Sequence, residues 1–186
     1  MPHENTFKTA SQRKTFVNGI IPAREALDSK TAEVLAKFAD GKPVLIRNVH
    51  GKGEVITAGF WTGLTYSAKV CRADFDMRAD FDANVRNLIA TPALMKHVYQ
   101  PVEPDDALVE AVLLNKDGKR SVALMNWAYR RNGAESVLQP VKSLRVNLAG
   151  AGNVKSVRSH AHGVLKVTDH AVVLPGLDAI DLLFIE

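Results

Sequence analysis

Six histidines invite a metal reading, and the sharpest spacing is Ser159-His160-Ala161-His162-Gly163. On a strand, an H-x-H pair points both imidazoles to one face, and His170 would supply a third ligand if its strand paired alongside. Against this, His162-Gly163 falls where a turn is expected, so an ordinary strand and turn is the plainer reading. Asp74, Asp76, Asp80 and Asp82 suggest calcium. An EF-hand loop starting at Asp74 needs Gly at 79 and Glu at 85; the chain has Ala79 and Val85. The aspartates suit a solvated helix start instead. Acid pairs that cleave glycosidic bonds flank a cleft at set separations. Glu110 and Asp181 lie in strand segments, but no spacing marks them as a pair, and they read as surface or edge-strand charges. There is no G-x-S-x-G elbow and no P-loop. No residue stands out as catalytic, and no cofactor is implied.

Two aromatic stretches carry what chemistry remains. Asn126-Trp127-Ala128-Tyr129-Arg130-Arg131 sets Trp and Tyr beside arginines near a strand end. Trp127, Tyr129 and Arg130 are candidates for stacking on sugar rings or for facing another domain; the plainer reading is that Trp127 caps a core. Gly59-Phe60-Trp61 with Gly63 and Tyr66 is the second, a candidate interface or ligand loop. Its aromatics suit a domain or subunit contact first and a ligand second.

The elements that would position these groups follow from periodicity and turn signals. Lys42 to Asn48 and Glu54 to Ala58 read as two strands of a hairpin around Gly51-Lys52-Gly53. The five residues Asn48 to Lys52 suggest a bulge or longer loop rather than a two-residue turn. The aromatic loop leaves at the strand end, where α/β proteins commonly place a crevice. A helix is expected from Asp28 or Ser29 to Phe38, ended by Asp40-Gly41. The pentapeptide Arg-Ala-Asp-Phe-Asp occurs at 72–76 and again at 78–82. Its second copy starts a helix with Phe81, Val85, Leu88 and Ile89 on one face, stopped by Thr91-Pro92. Residues 1–18 are too poor in apolar positions to pack and read as a flexible arm.

Gln100 to Asp106 reads as a linker, and the texture changes there. Short strands are expected at 109–114, 121–126, 144–148, 154–158, 164–167, 171–174 and 180–185. Turns at Asp117-Gly118, Asn132-Gly133, Gly150 to Asn153, His162-Gly163 and Pro175-Gly176 separate them. That pattern argues a β-sandwich. The expected architecture is therefore an arm (1–18), a partial α/β unit (19–100) and an antiparallel β-sandwich (101–186).

Composition bounds the rest. With 46% hydrophobic and 24% charged residues the chain can bury a core. The net charge of +4 is scattered, which argues against nucleic acid. The single cysteine, Cys71, excludes an internal disulfide. The N-terminus lacks a signal peptide's apolar stretch, and no run of about 18 apolar residues exists to cross a membrane. The expectation is a soluble chain, cytoplasmic by default, whose parent could still be exported.

Taken together, certain landmarks resemble the C-terminal portion of bacterial glycoside-hydrolase-like proteins related to the beta-galactosidases. They are Leu35 to Pro43, Asn48 with Gly51-Lys52-Gly53, Gly59-Phe60 and Gly63 to Tyr66. In the second half they are Val109-Glu110-Ala111, Leu113-Leu114, Leu124 to Trp127 and Asp178 to Ile185. In that family a catalytic barrel precedes a flavodoxin- or glutamine-amidotransferase-like "trimerisation" domain and then a small β-sandwich. The resemblance implies the end of the α/β domain followed by the sandwich. It leaves no room for a barrel of about 250 residues, so the family's catalytic carboxylates are absent. Nor does Cys71 supply an amidotransferase nucleophile, because it does not sit at a strand-to-helix elbow. The resemblance implies a non-catalytic assembly module, with a homo-oligomeric partner or a missing catalytic domain. Either the chain is a fragment or a partner completes its sheet. A carbohydrate-binding module using Trp127, Tyr129 and Trp61 is the alternative, and a small metal enzyme on His160, His162 and His170 the third.

Overall fold

The computed structural model describes residues 25–68 and 72–186 together with the short strand Lys8–Thr9. The remainder of the expected N-terminal arm and Cys71 lie outside the described residues. Contacts divide the chain into two units. One takes Met1–Cys71 and Asp82–Val98, the other Arg72–Phe81 and Tyr99–Glu186.

The first unit is an antiparallel meander of β1 (Lys8–Thr9), β2 (Glu33–Lys37), β3 (Pro43–His50) and β4 (Gly53–Ala58). The helix expected up to Phe38 is instead β2. Read at period two, Ala36 and Phe38 point together into the core and are buried, which a strand achieves and the loose 3.6 spacing does not. The turn after it survives: the Gly41 N–H donates to the Phe38 carbonyl, and the Lys42 N–H donates to Asp40 Oδ1. The β3–β4 hairpin is also tighter than expected. His50 pairs with Gly53, so the turn is Gly51-Lys52 alone. Gly51 has φ of 58°, the left-handed value that a type II′ turn needs at its first central position.

Two helices complete this unit: α1 (Thr62–Ser67) and α3 (Ala83–Met95), with α2 (Met77–Asp80) falling in the other unit. Ala36, Phe38, Val44, Leu45, Phe60 and Val85 form the core. Of the face expected on α3, Val85 is buried and Leu88 packs against the core, but Ile89 is exposed. Pro92 does not stop α3, which runs on to Met95. The Thr91 hydroxyl bonds back to the Asn87 carbonyl, and the last turn closes on Ala93 and Leu94. Pro92 has no N–H to give the Leu88 carbonyl, so α3 forgoes one backbone hydrogen bond in its interior. All strand pairings in this unit are antiparallel; no parallel βαβ crossover occurs among the described residues.

The second unit is built from antiparallel sheets. Five strands run in the order β13 (Gly163–Leu165), β12 (Val157–Ser159), β15 (Ile180–Ile185), β8 (Lys119–Asn126), β7 (Val109–Lys116). Three more run β14 (Ala171–Leu174), β11 (Leu144–Asn147), β6 (Glu103–Pro104). Val122, Leu124 and Leu183 from the first meet Leu144, Val146 and Leu174 from the second in one core, which makes the pair a sandwich. The expected linker is not free chain. Its Val102 is buried, β6 pairs with β11, and Asp105 exchanges hydrogen bonds with Arg145. A small third sheet, β10 (Glu135–Leu138), β9 (Tyr129–Asn132), β5 (Phe75–Asp76), lies outside the expected strands. No helix among the described residues is long and apolar enough to cross a membrane.

Candidate functional site

The segment Gly59–Tyr66 is held by close packing rather than shown as an open loop. The Gly59 carbonyl accepts from the Glu25 N–H, and a Cβ at Gly59 would lie 2.1 Å from the Glu25 carbonyl oxygen. Glycine is therefore required there by backbone approach, not by a ligand. Phe60 is 5% exposed and belongs to the core, while Tyr66 packs partly against it. The expected aromatic loop is helix α1, and only Trp61, at its N-cap, is displayed, at 64% exposure. Gly63 has open space around it.

A charge cluster braces the same unit. Arg47 bonds Glu54 through two nitrogens at 3.1 and 2.8 Å and reaches Glu33 at 3.1 Å; Lys96 joins Glu54 at 2.6 Å. The Arg47 hydrogen bond, with that of Lys96, lowers the Glu54 carboxyl to about 2. These groups are consumed by one another, and their role is to tie three strands to the end of α3.

In the second unit, buried Asn126 organises the second aromatic stretch. Its Nδ2 donates to the Gln139 and Asp178 carbonyls at 2.9 and 2.7 Å, and its Oδ1 accepts from the Ala128 N–H. That clamp turns the chain so that Trp127 does not cap the core, as the plainer reading had it. The indole is 51% exposed and donates through Nε1 to Glu110 Oε2 at 2.9 Å. Tyr129 stands edge-on to Phe75, ring centroids 5.0 Å apart, and the Arg131 guanidinium lies over the Phe75 ring. A groove of about 440 Å³ is lined by Asp74, Phe75, Asp76, Asp80, Arg130, Arg131 and Asn132.

Asp76 in that groove accepts from Gln139, Arg78 and Ala79. The Gln139 hydrogen bond, more than the backbone donors or Arg130, holds its carboxyl below the usual range. The sequence repeat now has an explanation. The closing aspartate of each Arg-Ala-Asp-Phe-Asp copy is a helix N-cap, Asp76 for α2 and Asp82 for α3, the role that short acceptor side chains favour. Phe75 and the Glu110–Trp127 bond went unread in the sequence; strand β5 is two residues long, too short for a periodic signal.

Glu110 and Asp181 do not flank a cleft. Glu110 pairs with Met125 and Asp181 with Leu124, neighbours on β8, so they point to opposite faces of one sheet. Asp181 is buried; it accepts from Ser159 Oγ at 2.5 Å and from the Ala161 and Leu182 N–H groups. The H-x-H pair lies in the turn between β12 and β13 rather than on a strand. Its backbone is pinned by Asp181 and Ser159, and the His162 ring bonds the Gly176 carbonyl. No group of three His, Cys, Asp or Glu side chains suited to a metal occurs among the described residues.

These features define a two-unit, mainly antiparallel β protein. No family model matches the chain, and no curated protein matches it. Solved structures do. Beta-galactosidase from Bacillus circulans sp. alkalophilus superposes with a TM-score of 0.59 at 20% identity, over 99% of this chain and 22% of that one. Gan42B, a GH42 beta-galactosidase from G. stearothermophilus studied as a catalytic mutant, gives 0.51 at 12% identity, over 98% and 21%. The likeness is one of fold. The chain spans about a fifth of the length of the beta-galactosidases it matches.

Proposed function

We propose that the chain is a non-catalytic structural and assembly module related to the C-terminal part of beta-galactosidase-like glycoside hydrolases. It would correspond to the end of the amidotransferase-like trimerisation domain followed by the sandwich. The observation that carries this reading is coverage: nearly all of this chain aligns with about a fifth of each beta-galactosidase. Trp61, exposed at the start of α1, is the side chain offered to a second copy or to a catalytic domain. Light scattering after size exclusion tests the reading: a stable oligomer that Trp61→Ala weakens is expected. A folded monomer at every concentration, or turnover of galactosides by the purified chain, would sink it.

A second reading, carbohydrate binding, is favoured by one observation. The Trp127 indole is half-exposed and fixed by Glu110, which presents a rigid aromatic face with a carboxylate beside it, as sugar stacking requires. Tryptophan fluorescence across a polysaccharide panel separates the two. A saturable shift lost in Trp127→Ala would favour binding, and no shift with any polysaccharide removes it.

A further inference from the structure

β7 is the open edge of the five-stranded sheet. Its eight residues, Val109-Glu-Ala-Val-Leu-Leu-Asn-Lys116, make it one of the longest strands present. Edges of this length and apolar content are normally shortened, bulged or covered. The β7–β8 hairpin closes on the two-residue turn Asp117-Gly118, with Lys116 opposite Lys119. The pair flanking such a turn is hydrogen-bonded, and hydrogen-bonded pairs then alternate along the ladder. Lys116, Leu114, Val112 and Glu110 therefore spend their backbone groups on β8. The backbone N–H and C=O of Ala111, Leu113 and Asn115 point outward. Two bonds at the strand's start follow the same alternation: the Trp127 N–H donates to the Leu108 carbonyl, and the Val109 N–H donates away from β8 to Asp106. Among the described residues no backbone hydrogen bond engages Ala111, Leu113 or Asn115 from the open side.

The side chains along this edge are self-complementary. On the outer face β7 reads Glu110, Val112, Leu114, Lys116. An antiparallel copy of the strand, related by a two-fold axis at Leu113, sets Leu113 against its own symmetry mate. It sets Ala111 against Asn115, Val112 against Leu114, and Glu110 against Lys116. The backbone parity agrees, because the outward-pointing residues fall opposite one another as hydrogen-bonded pairs. The charged pairs then fall at the closer, non-hydrogen-bonded positions. Charge agrees too. Lys116 and Lys119 face each other directly, a repulsive arrangement, and neither forms an ion pair among the described residues. Glu110 gives one oxygen to Trp127 and has the other to offer. An edge lysine alone deters pairing; an edge lysine matched in register by a glutamate selects one partner.

We propose that β7 is a homodimerisation edge: two copies of this chain join antiparallel through β7, centred on Leu113, into a continuous ten-stranded sheet with reciprocal Glu110–Lys116 pairs. An isologous two-fold contact of this kind closes and does not propagate. The proposal rests on the assembly reading and specifies a second surface for it.

The test uses the full chain. In a Cys71→Ala background, Leu113→Cys should form an inter-chain disulfide under mild oxidation, since paired Cα atoms about 5.5 Å apart fall within disulfide range. Asn115→Cys should not, because its symmetry mate lies several residues along the strand. Lys116→Glu and Glu110→Lys should each weaken the dimer about tenfold in sedimentation, since two symmetry-related pairs turn repulsive at once. The double reversal should restore it. An oligomer indifferent to both reversals, without the Leu113→Cys crosslink, overturns the β7 contact and leaves the assembly reading standing. A folded monomer at all concentrations overturns both.

Discussion

The two units use the same antiparallel grammar but close very different cores. The second buries sixteen apolar residues in one cluster, the first six among its described residues. Full burial of one such side chain contributes roughly 1.5–3 kcal/mol, so no single residue dominates the larger core. In the smaller one each residue is a substantial share. The first unit carries its polar bracing at the surface, where Arg47, Glu33, Glu54 and Lys96 lace strands to helix. The sandwich carries its bracing inside, with Asn126 and the Ser159–Asp181 pair. The units thus differ both in the size of the apolar cluster and in where the polar bracing sits.

Phe60→Ala is the sharpest way to break this contrast. Removing a buried phenylalanine costs about 3–5 kcal/mol, a large share of what the six clustered residues among those described contribute. Amide exchange should become fast throughout β2, β3 and β4 while β8 and β15 stay protected. Loss of protection in both units at once would mean that they unfold as one and that the difference in core size has no thermodynamic meaning.

Asn126→Ala probes the sandwich from its polar side. It strands the Gln139 and Asp178 carbonyls and the Ala128 N–H in a buried site, for about 3 kcal/mol in total. The urea midpoint should fall with an unchanged slope, since the surface exposed on unfolding is the same. A loss under about 0.5 kcal/mol, the size of an ordinary surface change, would show that water replaces the clamp.

The same contrast explains what the sequence could show. The sandwich strands were legible because they alternate: Leu144 and Val146 inward, Arg145 and Asn147 outward. Asp117-Gly118 and Asn132-Gly133 marked hairpins that the structure contains. In the first unit the signals conflicted. Glu33 to Phe38 carries residues at home in a helix, and only pairing with β3, across an irregular register, makes it a strand. Tertiary pairing overrode local propensity there. The candidate sites were less legible still. Which of Phe60, Trp61 and Tyr66 is exposed depends on helix α1 forming, and the Trp127–Glu110 bond joins a residue just past the end of β8 to one on β7. Spacing along one chain does not encode such a meeting.

The smallest effect concerns acid. Glu54 in the first unit and Asp76 in the second both have lowered carboxyl values, but for different reasons. For Glu54 the leading cause is a cation, Arg47; for Asp76 it is the neutral Gln139 amide. A carboxyl depressed in the folded state stabilises the fold fully above its unfolded value, and loses that contribution as pH falls through the folded one. For Glu54 the window runs from the ordinary 4.5 down to about 2. Carboxyl NMR titration should therefore find Glu54 still charged where free glutamates are half protonated, and Arg47→Met should carry its midpoint back toward 4.5. Molar salt should do part of the same, because surface ion pairs are screened. Asp76 should respond little to salt and strongly to Gln139→Ala, since a hydrogen bond from a neutral amide is not screened. Equal salt sensitivity at the two carboxyls would mean that one mechanism, not two, braces both units.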